Sequence, residues 1–387
     1  MKQHKIRAVF ARGGTSKGLL FHRADLPAER SRWDRLFLAA LGSPDRYVRQ
    51  LNGMGGGLSS LSKVCVIGPT ARADADVDYT FAQVLVDRAL VDFTPLCGNM
   101  SSTIGPFAVD EGIVKATGER AVVRIHNTNT AKIIVATFPV EEDGCAAVDG
   151  DLAIPGVEGT GAPVRLDFLD PGGAITGMLL PTGKVCEPLA VPGVGTVEVS
   201  MIDASNPCVF VAARDLGLSG TEMPADIEAD AELMRKLAAI RLAASLAMGV
   251  ATSEEEAQRK TAVPFIGFVA PPAEARTLAG TRIDPAHADF VARVISNGQP
   301  HRALPLGVSM CLAVAARIEG SVVHAVTRRD AGARDSLRIS MPSGILTVAA
   351  EVRREGDGWR AVRGGFFRTQ RRLFDGRVCV SAAALTD

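Results

Sequence analysis

The chain has 387 residues, of which 47% are hydrophobic and 22% are charged, and 43 basic side chains balance 43 acidic ones. This composition supports a buried core and excludes a disordered chain, and the length predicts two domains, or three, at ~150 residues each. Zero net charge and only 5% aromatic residues argue against nucleic acid and anionic membranes as partners.

The seven cysteines are widely spaced and include no C-x-x-C pair, so neither a disulfide framework nor a zinc knuckle is expected. Near the N-terminus, charged residues and glycines interrupt the sequence before an apolar run of signal-peptide length can form. No stretch of ~18 apolar residues is present. We therefore expect a cytoplasmic protein.

The first half of the chain mixes strand-like and helix-like patterns. A helix is predicted to begin near Asp25 and to end at Gly42. The other predicted elements are strands at 6–10 and 19–22 joined by a Gly-rich turn, strands at 63–67, 79–86, 121–126 and 133–140, and a buried helix at 101–111.

The segment 141–200 is rich in Gly, Pro and Asp and predicts no helix. We place the domain boundary near residue 183, giving domains 1–183, completed by a C-terminal strand at 373–387, and 184–372. The elements predicted after this boundary are strands at 196–202, 207–212 and 265–269, helices at 227–248, 285–294 and 307–318, and three closing strands.

The two halves share one element. Segments 97–112 and 306–320 each consist of a small-residue entrance followed by an apolar helix that ends at Glu-Gly. Either segment alone is typical of an ordinary buried helix, but together they favour a duplicated α/β domain with strands around a central helix. The N-termini of two such helices, facing each other across a domain cleft, would attract carboxylates.

The Gly-rich segment 13–18 contains Thr15, Ser16 and Lys17 but does not match the phosphate-binding P-loop, because its Lys precedes the last Gly and a strand follows. Backbone N–H groups, hydroxyls and an ammonium at a hairpin tip are suited to binding a carboxylate. The alternative is a solvent-exposed turn without function.

Lys63 is the first candidate for chemistry. Alternation places it on one strand face with Leu61, Cys65 and Ile67, where loss of hydration favours a neutral amine that can act as a base. The alternative is a strand-end lysine whose ammonium extends to water.

Cys97 precedes Gly98 and Asn99 at a predicted helix entrance, where free N–H groups and the helix dipole stabilise a thiolate. The alternative is an inert buried thiol.

Two further candidates, His301 and Arg302, lie in the turn before the second helix entrance, where a plain surface turn is an equally good interpretation. The remaining histidines form no metal-binding pattern, so we expect no metal site.

Taken together and in order, six motifs resemble the PrpF family, which includes 2-methylaconitate cis-trans isomerase, 4-oxalomesaconate tautomerase and methylitaconate delta-isomerase. The resemblance extends from about residue 6 to 380. The motifs are Arg12-Gly-Gly-Thr-Ser-Lys-Gly18, Ser60-Leu-Ser-Lys63, Phe81-Ala-Gln83, Cys97-Gly-Asn-Met-Ser-Ser102, Asn206-Pro-Cys-Val-Phe-Val211 and Arg368-Thr-x-Arg-Arg372.

This resemblance implies an α/β (α+β) fold like that of diaminopimelate epimerase. Such a fold has two pseudo-symmetric domains, each a strand barrel around a central helix, with the active site in the cleft between them. It also implies an isomerase or tautomerase of unsaturated di- or tricarboxylates that needs no cofactor, with Lys63 as the base and Cys97 as an acid/base or positioning residue. The implied substrate-binding residues are Thr15, Ser16, Lys17, Gly98, Asn99, Asn206, Ser296, Gly298, His301 and Arg302.

The chain departs from its epimerase relatives at Leu306, where they carry a second catalytic cysteine. Because Leu cannot carry a proton, a two-thiol racemase is disfavoured and a one-base proton shift is favoured. Two other functions stay open, a non-catalytic carboxylate-binding accessory protein of a dehydratase and an amino-acid epimerase. The sequence does not decide the exact substrate or whether the protein forms a homodimer.

Overall fold

The computed structural model describes residues 3–93, 96–260 and 263–385. The chain forms two compact units, the first comprising Met1–Asp167 and Phe367–Asp387 and the second comprising Phe168–Phe366. The second unit thus begins earlier than the boundary proposed near residue 183. The reason is that Gly173 N–H donates to Asp203 O (2.8 Å) and Asp203 N–H donates to Leu179 O (3.0 Å), which attaches this loop to the second unit's sheet.

The first unit is built from strands and two helices. Seven strands, identified here by the numbers given next, pair side by side in the order 20-1-2-3-4-6-7. Strand 2 is parallel to strand 3 and strand 4 is parallel to strand 6, whereas the other neighbours are antiparallel. The elements are β1 (Gln3–Gly13), β2 (Ser16–His22), α1 (Trp33–Leu41), β3 (Lys63–Pro69), β4 (Val77–Val84), β5 (Val91–Asp92), α2 (Gly98–Asp110), β6 (Arg120–Asn127), β7 (Lys132–Pro139) and β20 (Gln370–Ser381).

Helix α2 is the centre of the first unit. Every residue from 100 to 109 is buried, and the helix contacts β1, β2, β3, β6, β7 and β20. Gly105 is required for this packing, because a Cβ there would lie 2.7 Å from the ring of Phe138 and 2.9 Å from Ala136. The predicted central helix is therefore confirmed.

The second unit repeats this plan. Eight of its strands, numbered 9, 10, 11, 12, 15, 17, 18 and 19 in the chain order given next, pair side by side in that order. Strand 11 is parallel to strand 12 and strand 15 is parallel to strand 17, whereas the other neighbours are antiparallel. The elements, starting with a strand that crosses from the first unit, are β8 (Val164–Leu169), β9 (Glu187–Val191), β10 (Gly195–Ala204), β11 (Asn206–Ala212), α3 (Pro224–Ala229), α4 (Ala231–Ala247), α5 (Glu254–Arg259), β12 (Phe265–Ala270), β13 (Ala275–Arg276), β14 (Arg282–Ile283), β15 (Phe290–Ser296), β16 (Gln299–Pro300), α6 (Leu306–Arg317), α7 (Val322–Val326), β17 (Ser336–Met341), β18 (Gly344–Glu355) and β19 (Gly358–Arg368).

The two units have the same topology. In each, an antiparallel hairpin is followed by a parallel neighbour, an antiparallel strand, a buried helix, a second parallel neighbour and a closing antiparallel strand. Helix α6 occupies the place of α2, and its residues 308–316 are buried. The duplicated α/β fold expected from the two helix entrances is confirmed.

Four local predictions were wrong. Helix α1 begins at Trp33 rather than near Asp25, because short 3-10 turns occupy 23–25 and 30–32. The helix predicted at 227–248 is two helices, separated at Asp230, whose carboxylate caps α4 by accepting from the N–H groups of Glu232 and Leu233. The segment predicted as a helix at 285–294 is largely strand β15. Four strands, β17 to β20, close the chain rather than three.

Candidate active site

The Gly-rich segment forms the two-residue turn of the β1–β2 hairpin. Gly13 pairs with Ser16, and Gly14, at the tip, has a φ of 52°. Gly14 N–H donates to Thr369 O at 2.9 Å. Arg12 Nη1 donates to Gly14 O, Thr369 O and Thr369 Oγ1 at 3.0–3.1 Å. The tip is therefore fixed against the segment that precedes β20.

The entrance of α2 packs against this hairpin. Asn99 Nδ2 donates to Thr15 Oγ1 at 3.1 Å, and a Cβ on Gly13 would lie 2.6 Å from Asn99 O. Only glycine at position 13 allows the strand to approach the helix so closely. Thr15 is exposed, whereas Ser16 is buried. The hairpin tip and the first turn of the helix thus form one continuous polar surface.

Arg368 adds a buried positive charge to this surface. Its Nε donates to Asn99 Oδ1 at 3.1 Å, and its Nη1 donates to Phe367 O at 2.8 Å. Only 7% of the residue is exposed, and burial lowers the pKa of Arg368 to about 10. The guanidinium stays charged at neutral pH and lies beside a helix N-terminus, an arrangement that favours binding of a carboxylate.

Lys63 lies at the start of β3, beside Gly18 of β2. The residue is 8% exposed, and its Nζ donates to Gln83 Oε1 at 2.6 Å and lies 5.1 Å from the centre of the Phe81 ring. Among the residues that the structure describes, no carboxylate lies within ion-pair distance of this amine. Its surroundings are a neutral amide and an aromatic ring, unlike those of a lysine that extends to water.

Cys97 is the N-cap residue of α2, and its carbonyl accepts from both the N–H and the hydroxyl of Ser101. Cys65, two residues after Lys63 on β3, is fully buried. Burial raises the pKa of the Cys65 thiol, the nearby Cys97 raises it further, and the charge of Lys63 acts in the opposite direction. Lys63 and Cys97 are therefore both near Cys65.

A buried tyrosine contacts Cys65. The Cys65 thiol donates to Tyr79 Oη at 3.8 Å. Burial raises the pKa of Tyr79 well above its usual value, and the neighbouring thiols raise it further. Tyr79 and Cys65 are thus neutral at physiological pH and are not bases. Lys63 and Cys97 remain the predicted proton-exchanging groups near Cys65. We call Thr15, Ser16, Lys63, Cys97, Asn99 and Arg368 the candidate site.

The structure separates Lys17 from the candidate site. Lys17 pairs with Arg12, and strand alternation directs it away from the face that carries Ser16 and Gly18. Its Nζ lies 5.9 Å from the ring of Phe10. Contact of Lys17 with a substrate, expected from the sequence, therefore has no support in this geometry.

In the second unit, the predicted residues gather at one end of the sheet. Asn206 begins β11 and Ser296 ends β15, two strands that both pair with β12. The Asn206 amide packs on Gly307 in the first turn of α6, where a Cβ would collide with it. Ser296 Oγ and His301 Nε2 share a hydrogen bond of 2.7 Å. Burial lowers the pKa of His301, which favours neutral imidazole.

Two other residues of this region that were predicted to bind substrate, Gly298 and Arg302, lie in turns. Gly298 follows Asn297 in the turn between β15 and β16, and both have a positive φ, which explains this glycine by turn geometry alone. Arg302 is exposed in the turn before α6.

The shared topology shows what the second unit lacks. Lys63 pairs with the third residue of β2, and the residue that pairs with the third residue of β11 is Phe265. At the helix entrance, Cys97 is the N-cap of α2, whereas the N-cap of α6 is Pro305 and the next residue is Leu306. The second unit therefore has an apolar side chain at both positions where the first unit has a lysine or a cysteine.

Sequence reasoning missed two residues of this environment, Gln83 and Arg368. Each lies in a motif that carries the family resemblance, Phe81-Ala-Gln83 and Arg368-Thr-x-Arg-Arg372, but the motif alone indicated no partner.

Within residues 3–93, 96–260 and 263–385, no three His, Cys, Asp or Glu side chains are close enough together to hold a metal ion. No helix in the described part of the chain has both the length and the apolar character needed to cross a membrane.

Comparisons with known proteins agree with this architecture. A family model described as "PrpF protein" matches residues 3–381. The chain is 42% identical to 3-methylitaconate isomerase of Eubacterium barkeri, with 99% of each chain covered, and 40% identical to 4-oxalomesaconate tautomerase of Pseudomonas putida, with 98% and 97% covered. The crystal structure of methylitaconate-delta-isomerase matches with a TM-score of 0.93 and 40% identity, covering 100% of this chain and 98% of that one. The resemblance seen in the sequence is thereby confirmed, and the chain belongs to the PrpF family.

Proposed function

We propose that this protein is a cofactor-independent isomerase that moves a proton, and with it a C=C bond, within an unsaturated di- or tricarboxylate. It is similar over its whole length to an isomerase and a tautomerase that are named for substrates of this kind. The candidate site supplies the two functions that such a reaction needs, a base and a binding region for carboxylates.

The reaction begins with proton transfer to Lys63. The neutral amine takes a proton from the carbon next to the double bond, so the C–H bond breaks and an N–H bond forms. The electron pair left behind is delocalised over the double bond and the attached carboxylate. The proton then returns to the far end of this system, which shifts the double bond, or to the same carbon after rotation. No electrons are gained or lost.

The carboxylate region stabilises the charge that develops. The Arg368 guanidinium, the amide of Asn99, the hydroxyls of Thr15 and Ser16 and the free N–H groups at the start of α2 can all donate to a carboxylate. Cys97 is proposed to position the substrate or to carry the returning proton. Asn206, Ser296 and His301 stay predicted ligands of the substrate.

One observation carries this proposal. Lys63 is buried, contacts a neutral amide and an aromatic ring, and has no acidic partner among the described residues. A lysine that served stability alone would be paired with a carboxylate or extended to water. Its amine is available as a base.

The most direct test is NMR of the purified protein in D₂O with cis- and trans-aconitate, 2-methylaconitate, methylitaconate and 4-oxalomesaconate. We expect deuterium exchange or isomerisation of at least one of these acids. If all of them stay unchanged while the protein binds them, the protein is a carboxylate-binding accessory protein rather than an isomerase.

Lys63→Ala is the matching variant. A general base contributes ~10²–10⁴-fold to the rate, so we expect turnover to fall by at least that factor. The control is Lys132→Ala, which removes an exposed strand lysine of the same unit. Retained activity in Lys63→Ala would rule out this residue as the base.

We also infer a reducing compartment, the cytoplasm, since all seven cysteines are free thiols.

A further inference from the structure

We propose that Gln83 is the positioning residue of Lys63, holding its amine in one orientation without supplying a charge. This inference rests on the proposed role of Lys63 as the base. It concerns how a lysine that lies beside no carboxylate is kept in place and ready to accept a proton.

Two backbone carbonyls fix the orientation of the Gln83 amide. Its Nε2 donates to Ser59 O at 3.0 Å and to Ser62 O at 2.9 Å. Because carbonyls accept but do not donate, the nitrogen must face these two groups and the oxygen must face Lys63. The 2.6 Å bond from Lys63 Nζ to Gln83 Oε1 is therefore determined by the backbone just before β3.

That backbone is in turn held by Gln50, which is 1% exposed. Gln50 Nε2 donates to Ser62 Oγ and to Ser43 Oγ, each at 2.8 Å, and its Oε1 accepts from Gly57 N–H at 2.9 Å. Its own φ is 53°, a conformation that costs a non-glycine residue free energy and persists only where surrounding bonds impose it. Ser62 thus connects Gln50 to Gln83 and immediately precedes Lys63.

The chemistry of an amide suits this position. A neutral amine has two hydrogens and one lone pair, so donating one hydrogen to Gln83 limits the directions in which the lone pair can point. An amide oxygen has no negative charge, so it does not hold the proton on Lys63 as a carboxylate would. The titratable groups that surround Lys63 and Gln83 include Cys65, Tyr79 and Cys97, and Asp92 of β5 pairs with Gln83.

The test compares Gln83→Glu with Gln83→Met. The carboxylate of Gln83→Glu, close to the amine, stabilises its protonated form, so we expect the pH at which kcat/KM is half-maximal to rise by ~1–3 units. Gln83→Met removes the acceptor without adding charge, so we expect kcat to fall ~10-fold or more while KM and the pH midpoint stay unchanged. The control is Gln258→Glu, on the exposed surface of α5, which should shift neither quantity.

A second measurement does not depend on turnover. Each protein is labelled with acetic anhydride over a range of pH, and acetylation of Lys63 relative to exposed Lys132 is read by mass spectrometry. We expect the labelling midpoint of Lys63 to rise in Gln83→Glu by the same amount as the kinetic midpoint. If the labelling shifts but the wild-type protein converts none of the acids, the positioning role stands and the isomerase function fails.

The positioning role is overturned if Gln83→Glu folds and leaves the labelling midpoint of Lys63 where it was. It is also overturned if the wild-type protein is active and Gln83→Met keeps the wild-type kcat. Should Gln83→Glu not fold, Gln83→Met decides the question by its kcat. If Gln83 were needed only for folding, either substitution would change the melting temperature but would leave the Lys63 labelling midpoint and kcat unchanged.

Discussion

At the scale of single residues, the candidate site depends on pairs that are distant in the sequence. Alternation predicted that Lys63 would share a strand face with Cys65, and the structure agrees. The sequence could not indicate that Gln83, 20 residues later, bonds to Lys63, or that Arg368 reaches Asn99 across 269 residues. Such pairings depend on strand register and tertiary packing, and no local pattern contains either of them.

The role of Arg368 can be tested with Arg368→Lys. Lysine keeps the positive charge but loses the planar fork that binds a carboxylate and contacts Asn99. Since hydrogen bonds to charged groups contribute about 1.5–3 kcal/mol, we expect KM to rise ~10–100-fold with a smaller change in kcat. Steady-state kinetics on the acid identified by NMR measures both constants. An unchanged KM would mean that Arg368 supports the fold rather than the substrate.

For Cys97 we expect a milder effect than for Lys63. In Cys97→Ser the hydroxyl keeps a hydrogen bond at the helix entrance but does not readily become an anion. Activity should therefore be reduced but measurable in the same NMR assay, well above that of Lys63→Ala. Complete loss of activity would instead show that the thiol itself carries a proton during the reaction.

At the scale of elements, the sequence predicted most helices and strands, because period and glycine placement are local properties. It failed at 285–294, where the short apolar stretch 290–292 fits a buried strand as well as a helix. The outcome there is decided by pairing of β15 with β12 and β17. These partners lie elsewhere in the chain, so propensity alone could not distinguish the two structures.

The start of β15 is attached to β17 by a buried carboxylate. Asp289 Oδ1 accepts from Arg334 Nη2 at 2.5 Å and from Arg338 Nη2 at 2.9 Å, and Oδ2 accepts from Arg338 N–H at 2.7 Å. Burial alone would raise the pKa of Asp289, but the bonds from Arg338 and Arg334 outweigh it and lower the pKa. The folded state therefore binds this proton less readily than the unfolded chain.

It follows that Asp289 stabilises the fold above the ordinary aspartate pKa of ~4 and that this contribution is lost as pH falls through the lowered value in the folded state. We expect Asp289→Asn to lower the free energy of unfolding at neutral pH by about 1.5–3 kcal/mol and to weaken its decline in acid below ~pH 4. Urea unfolding over a pH series measures both, with Asp330→Asn, an exposed ion-pair partner of Arg328, as control. Equal acid sensitivity in Asp289→Asn and wild type would contradict this assignment.

At the scale of the whole molecule, the two units share a topology but differ in chemistry. The sequence predicted the duplication from two Glu-Gly helix endings and the missing thiol from Leu306. It did not predict that Phe265 stands where the first unit has Lys63, because that equivalence follows from strand register. Both differences leave the second unit without a lysine or a cysteine at the places that correspond to Lys63 and Cys97.

This asymmetry predicts the absence of a reaction. Racemisation requires proton exchange on both faces of one carbon and thus a second proton-exchanging group. The second unit has Phe265, Pro305 and Leu306 at the places that correspond to Lys63 and Cys97. We therefore expect no deuterium incorporation at the α-carbon of L-amino acids in D₂O, with the reactive unsaturated acid as positive control. Incorporation would restore the amino-acid epimerase as a candidate function.

The pairing of β1 with β20 also joins two segments that are synthesised at very different times. Gln3 through Gly13 form a ladder with Ser381 through Gln370, so β1 is synthesised long before its partner strand. The second unit is continuous in the sequence, and all of its strands and helices are made before that ladder can close. Arg368 and Thr369 immediately precede β20, so the contact of Arg368 with Asn99 and that of Thr369 with Arg12 also form only after the second unit has been made.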